Sequence, residues 1–211
     1  SNIPTGAGLS SSASFEIAIG TMFNYLYNNG CIDNVKIAQI GQYAENIYFG
    51  KPCGLMDQIA SSVGSLLFID FENPNDPIVN QLNFDFENSG HTLCIVNTGS
   101  SHADLTKDYE SITSEMKCIA EEFGADTLRS VDEALFFNSI KNLREKLSDR
   151  SILRAIHFFN ENKRPIKEFN ALKNNNFSEF LMLIKESGHS SYMYNQNIYR
   201  ADTPNEQSIS L

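Results

Sequence analysis

The sequence predicts an α+β protein in which a strand-and-helix first part is followed by a helix-rich second part. Three observations carry that expectation. Apolar residues recur at helical spacing soon after the N-terminus. Two runs rich in Leu, Ile, Val and Phe, "SLLFIDF" and "HTLCIVNT", read as strands. From Ser111 onward the pattern is mainly helical.

Taken in order, Phe15, Ala18, Ile19, Met22, Phe23 and Leu26 line up at helical intervals and predict one amphipathic helix with that face buried. Asn28-Asn29-Gly30 ends it. Asp33 or Asn34 can cap a second helix with apolar positions Ile37, Ile40, Ala44 and Ile47, stopped near Gly50. "KPCGLMDQIASSVG" reads as a turn leading into a short helix, and "ENPNDP" between the two expected strands is a turn signal. Further on, Met116, Ile119, Ala120 and Phe123 form one helical face, and Ile152, Ala155, Ile156 and Phe159 a second. A third comprises Phe177, Phe180, Leu181 and Ile184, capped by the run Asn174–Asn176. The change of pattern near Asn88–Gly90 divides the chain into residues 1–88 and 89–211.

The 211 residues are 41% hydrophobic, enough for one large or two small cores. No apolar run approaches the roughly 20 residues of a membrane-spanning helix, and no basic-then-apolar leader is visible, so no membrane partner is expected. Cys31, Cys53, Cys94 and Cys118 are scattered without a CxxC pair, which suits free thiols in a reducing cytoplasm. A net charge of −10 argues against nucleic acid. The modest basic clusters at Lys141–Arg154 and Lys163–Lys173 alternate with acids, as solvated helix surfaces do. Small phosphorylated ligands stay open to an acidic protein when local dipoles and a metal ion supply positive field.

"PTGAGLSSSAS", from Pro4 to Ser14, fits such a ligand. Gly6 and Gly8 let the backbone approach closely, and the helix start just beyond them offers unpartnered N–H groups with partial positive charge. Serine hydroxyls add donors to phosphate, or oxygen ligands to Mg²⁺. A glycine turn and a plain serine N-cap explain the same residues. No Gly-Lys-Ser/Thr comes after the glycines, so this is not the Walker-type loop.

Together with two later segments, the stretch resembles the phosphate-binding motif of the GHMP kinases, and the triple serine of "GLSSSAS" resembles their galactokinase branch. "AENIYFGKPCGLMDQIASSVG" is similar to the galactokinase segment containing Cys-Gly-hydrophobic-Met-Asp-Gln, and "VNTGSSHADLTKDY" to its strand-to-loop region ending in a tyrosine. The resemblance is specific over residues 4–109 and fades afterwards, persisting in "RAIHFFNEN" and "FSEFLMLIKESGHSSY". It implies the two-domain GHMP-kinase architecture, incomplete here: residues 1–88 as a partial N-terminal domain holding the phosphate loop, and 89–211 as a partial, helix-rich C-terminal domain around a small antiparallel sheet.

The resemblance also implies roles. The backbone of Gly6, Ala7, Gly8, Leu9, Ser10, Ser11 and Ser12 would cradle the phosphates of ATP. Ser12 and Glu45 would hold Mg²⁺, although an exposed helix glutamate is the plain reading of Glu45. Asp57 would accept the proton of a sugar C1 hydroxyl, or hold its charge electrostatically; its apolar neighbours in "CGLMDQ" predict a carboxylate that is paired or functional. Gly54 would let the backbone approach the sugar, and Tyr109, at a loop end, would offer it a hydroxyl. His102 and Cys53 read as structural residues.

Departures from the family pattern bear on function. The arginine-and-acid-rich sugar-gripping segment and the C-terminal glycine-rich segment have no counterpart here, which predicts an internal piece of a longer kinase, nearly inactive alone. "ESITSEM" comes after Tyr109 where galactokinases commonly carry two arginines. The expected function is phosphorylation of galactose to galactose 1-phosphate. The alternatives are a kinase for another sugar, such as N-acetylgalactosamine, and a sugar sensor on the kinase scaffold.

Overall fold

Helix α1 (Ser11–Asn28) begins directly after Ser10, whose backbone sits in the left-handed region at φ 53° and ψ 45°. That entry belongs to the first of two compact units, Ser1–Asn88 and Ser89–Leu211. The computed structural model describes residues 3, 9–50, 53–95 and 106–198.

In the first unit, α1 is followed by α2 (Asn34–Tyr43), a π-helical turn (Ala44–Tyr48), α3 (Met56–Val63), strands β1 (Leu66–Asp70) and β2 (Ile78–Leu82), and a short 3-10 turn (Glu87–Ser89). Asp33 caps α2 by accepting the Lys36 N–H at 2.9 Å. The loop between α1 and α2 is pinned by buried Asn24, whose amide donates to the Ile32 carbonyl at 2.9 Å and accepts the Ile32 N–H at 3.1 Å. The core gathers Ile17, Ile37, Ala38, Leu55 and Ile59, with Leu67, Ile69 and Val79 of the hairpin packed against it.

The buried face of α1 is not the one its large residues predict. Ala13, Ile17 and Asn24 are buried, whereas Phe15, Met22, Phe23 and Leu26 are exposed. In α2 the buried residues are Ile37, Ala38 and Gly41, and Ile40 lies outside. The reason is close packing through small residues. A Cβ on Gly41 would stand 3.2 Å from Ile17 Cδ1 and 3.6 Å from Gln58 Cγ, and one on Gly20 would stand 3.3 Å from Ile37 Cγ2. The helices meet where side chains are missing, which turns the bulky stripe of α1 away from α2.

Strand β1 occupies the predicted "SLLFIDF", but its partner is the nearer segment Ile78–Leu82. The pair is antiparallel, with Leu66 opposite Leu82 and Asp70 opposite Ile78. The turn at "ENPNDP" therefore closes a hairpin, with Glu72 and Asn75 N–H groups bonded to the side chains of Asp70 and Asn73. The strand expected at "HTLCIVNT" is irregular over its described part, residues 91–95, and residues 96–98 lie outside the described residues. A segment becomes a strand only when a neighbour takes up its backbone groups, and none does so there among the described residues.

The second unit contains α4 (Thr106–Glu122), α5 (Glu133–Leu143), α6 (Asp149–Glu161), α7 (Arg164–Lys173), α8 (Phe177–Ser190), a 3-10 turn (Leu128–Ser130) and a π-helical turn (Ser191–Asn195). Among its described residues there is helix and turn but no strand. Its core centres on Phe136, fully buried, whose ring centroid lies 5.0 Å from that of Phe159 and 5.2 Å from that of Phe137. Ile119, Ala120, Ile152 and Ala155 complete it as their spacing predicts. In α8 the burial falls on Leu183 and Ser190 instead, with Ile184 exposed. Side chains of Asp132, Ser148 and Asn176 cap α5, α6 and α8. Buried Arg154 ties the unit together: it pairs with Glu115 at 3.0 Å and donates through Nε to the Asn195 carbonyl at 3.1 Å. Among the described residues no helix is long and apolar enough to cross a membrane.

Candidate active site

The site is built from the beginning of α1, the end of α2 and the beginning of α3. Ser10 makes no side-chain capping bond at the head of α1, and the first turn holds no acidic residue. The first N–H groups of a helix lack intrahelical partners and carry partial positive charge, here at the head of an 18-residue helix. The geometry suits an anion.

Ser12, on the first turn of α1, points across to the π-helical turn after α2. Its hydroxyl donates to Glu45 Oε1 at 3.1 Å. Glu45 is only 2% exposed, so it is not a surface helix glutamate. Its other oxygen, Oε2, accepts from Gln58 Nε2 at 3.0 Å. The same amide lies 3.4 Å from Cys53 Sγ. Burial pushes the Cys53 thiol up, and the adjacent Glu45 carboxylate adds to the effect. Cys53 is therefore a neutral thiol packed beside the buried Glu45 carboxyl group. Its backbone is fixed by Asn46, which accepts its N–H at 2.7 Å, and by Gln42, which donates to its carbonyl at 3.2 Å.

Asp57 is exposed, and the buried carboxyl group is that of Glu45. The helix phase explains this. Consecutive residues point about 100° apart, so α3 buries Gln58 and Ile59 and turns Asp57 outward. There Asp57 lines a cavity of about 670 Å³ together with Leu9, Ser10, Ser14 and Ser61. Ser14 Oγ and Ser61 Oγ lie 3.3 Å apart and join α1 to α3 beside it. Gly54 is exposed, and an added Cβ would meet nothing within 4 Å among the described residues, so packing among them does not demand a glycine. Tyr109 lies in the first turn of α4 rather than at a loop end. Gly6, Ala7, Gly8 and His102 lie outside the described residues.

Magnesium suits the donor set. The ion takes oxygen ligands at about 2.1 Å in an octahedron, which places neighbouring ligands about 3 Å apart. Ser12 Oγ and Glu45 Oε1 already stand at 3.1 Å. Among the described residues no group of three or more His, Cys, Asp or Glu could hold a metal, so these two oxygens would leave the remaining positions to phosphate and water. Gln58 is the residue that sequence reasoning missed. Its place directly after Asp57 in the first turn of a short helix was the available signal.

A family model described as the GHMP kinases N terminal domain matches residues 1–65, the span that carries α1, α2 and α3. The chain is also 34% identical to a galactokinase of Glaesserella parasuis serovar 5 (strain SH0165), over 89% of this chain and 47% of that protein. Over residues 1–65 the chain is similar to the GHMP kinases. In fold, the chain is similar to the crystal structure of Lactococcus lactis galactokinase complexed with galactose. The TM-score is 0.69 at 22% identity, covering 95% of this chain and 51% of that one. Its helices and small sheet are an incomplete α+β GHMP architecture. The chain spans about half the length of the relatives it matches.

Proposed function

We propose that the full-length protein transfers the γ-phosphoryl group of ATP to the C1 hydroxyl of galactose, giving galactose 1-phosphate and ADP. The observation that carries this reading is the Ser12–Glu45 oxygen pair, held at 3.1 Å at the head of α1, with Asp57 on the neighbouring cavity wall.

Phosphoryl transfer is chiefly a matter of positioning and charge neutralisation. The N–H groups at the start of α1 hold phosphate oxygens, and the segment from Gly6 to Ser12 wraps them. Ser12 Oγ and Glu45 Oε1 are the residues that would hold Mg²⁺, which neutralises phosphate charge when bound. Asp57 faces the alcohol. As the sugar oxygen bonds to phosphorus and the bond to the ADP oxygen breaks, the hydroxyl proton passes to the Asp57 carboxylate, or that carboxylate stabilises the developing charge before the proton leaves. Gly54 contributes to the sugar side.

Incubating full-length protein with labelled ATP and a panel of galactose, N-acetylgalactosamine and other hexoses tests the substrate. The expected product is galactose 1-phosphate. Transfer to N-acetylgalactosamine alone would reassign the sugar. "ESITSEM" after Tyr109 favours the sensor reading, and sugar-dependent capture of a protein partner without ATP consumption would replace the kinase by it.

A further inference from the structure

We propose that Gln58 is a positioning residue that sets the orientation of the Glu45 carboxylate for its metal; this rests on the reading of Ser12 and Glu45 given above. A carboxylate can present either oxygen, and on a flexible side chain both would compete for an ion. Here Gln58 Nε2 occupies Oε2 at 3.0 Å, which leaves Oε1 turned toward Ser12 Oγ.

Gln58 is itself fixed. It is 1% exposed, and its Nε2 donates both to Glu45 and toward Cys53 Sγ. Flipping the amide would set its oxygen against a carboxylate oxygen, so the hydrogen-bond network permits one orientation. Its own Oε1 is buried and, among the described residues, has no hydrogen-bond partner. An orphaned buried acceptor is unfavourable, and an apolar side chain of similar volume would avoid it. What the amide supplies at this position is the donor to Glu45. Residues that hold the groups around a metal ligand commonly govern its affinity by about 10- to 100-fold.

The arrangement also links the two halves of the candidate site. Asp57 and Gln58 are adjacent on α3, one exposed and lining the cavity, the other buried against Glu45. A single turn of backbone thus fixes the group facing the alcohol relative to the group that orients the metal ligand.

The test uses Mn²⁺ as the probe, titrated into full-length protein with a non-hydrolysable ATP analogue and monitored by the loss of the free-ion paramagnetic resonance signal. Gln58→Met, which keeps the volume and removes the donor, is expected to weaken Mn²⁺ binding about tenfold or more. Metal-free nucleotide binding should stay unchanged, and turnover should recover at high Mn²⁺. Gln58→Asn, which keeps a donor but falls short of Oε2, should behave alike and serves if Gln58→Met does not fold. Unchanged Mn²⁺ affinity in a folded variant of either kind, even with a lowered melting point, overturns the assignment and makes Gln58 a packing residue. The unaltered protein and Ser12→Ala are run in parallel. If the unaltered protein binds no Mn²⁺-nucleotide, the metal reading of Ser12 and Glu45 fails first and takes this inference with it.

Discussion

Replacing Glu45 by Gln separates stability from metal binding. The carboxylate is 2% exposed and accepts from Ser12 Oγ and Gln58 Nε2. Hydrogen bonds to a charged acceptor contribute about 1.5–3 kcal/mol each and neutral ones about 0.5–1.5, so neutralising the acceptor weakens these two by about 2 kcal/mol together. Against that, burying a carboxylate costs several kcal/mol. A Gln side chain has the same shape. Its oxygen can accept from Gln58, and its amide can donate to Ser12 Oγ. In metal-free solution Glu45→Gln is therefore expected to be at least as stable as the parent, by about 1 kcal/mol, which raises the midpoint of a unit this small by roughly 4–8 °C. Metal binding moves the other way. Opposite unit charges about 4 Å apart attract by about 4 kcal/mol at an effective dielectric of about 20, and a ligand sits closer than that. Mg²⁺-dependent ATP binding should fall at least about 100-fold. Thermal melts by circular dichroism and calorimetric titration with Mg²⁺ and ATP read the two effects separately. A variant that melts lower and binds Mg²⁺ with ATP as well as the parent would show that Glu45 is structural, and the reasoning would be wrong.

Asp57→Asn, at an exposed first-turn position of α3, should cost about 0.3–1 kcal/mol of stability through the lost helix-terminal charge, while turnover by the full-length protein drops about 10²- to 10⁴-fold; a kcat within about twofold of the parent would remove Asp57 from the reaction. Phe136→Ala empties the centre of the second unit's aromatic cluster and should cost about 3–5 kcal/mol, read as an earlier unfolding transition in denaturant. Burial holds the His157 imidazole below its ordinary value, and its Nδ1 is bonded to Ser190 Oγ at 2.9 Å. As pH falls below about 6.5 the unfolded chain protonates this position before the folded one, so its stability contribution is complete above that pH and is lost toward the depressed value. Melting points taken from about pH 8 to about pH 5 should fall more steeply for the parent than for His157→Gln, and equal slopes would count against the assignment.

Much of the second unit was legible because large apolar residues at helical spacing do bury there: Ile119, Ala120, Ile152 and Phe159 all join the Phe136 core. The first unit resisted the same rule. Its helices pack through Gly20 and Gly41, and periodicity weighted by bulk cannot see a contact made of absent side chains. The caps at Asp33 and Asn176 could be read because their chemistry is local. The partner of β1 could not, since pairing depends on which segment the turn brings back. In the site, the pattern named Ser12, Glu45 and Asp57, but it gave no sign that Glu45 is the buried acid. Apolar neighbours in sequence are not neighbours in space on a helix, where Asp57 and Gln58 face different ways. Gln58 escaped notice because its importance lies in a bond to a residue 13 positions away.

Gly41 has no reactive group, yet it acts as a shim. It sits against Ile17 on one side and the Gln58 stem on the other, one helical turn before Glu45. A methyl at that point would stand 3.2 Å from Ile17 Cδ1, so that side chain would have to give by a few tenths of an ångström. On the metal reading proposed above, any shift of the helices there would pull the Ser12 hydroxyl and the Glu45 carboxylate out of gauge, though neither had been touched.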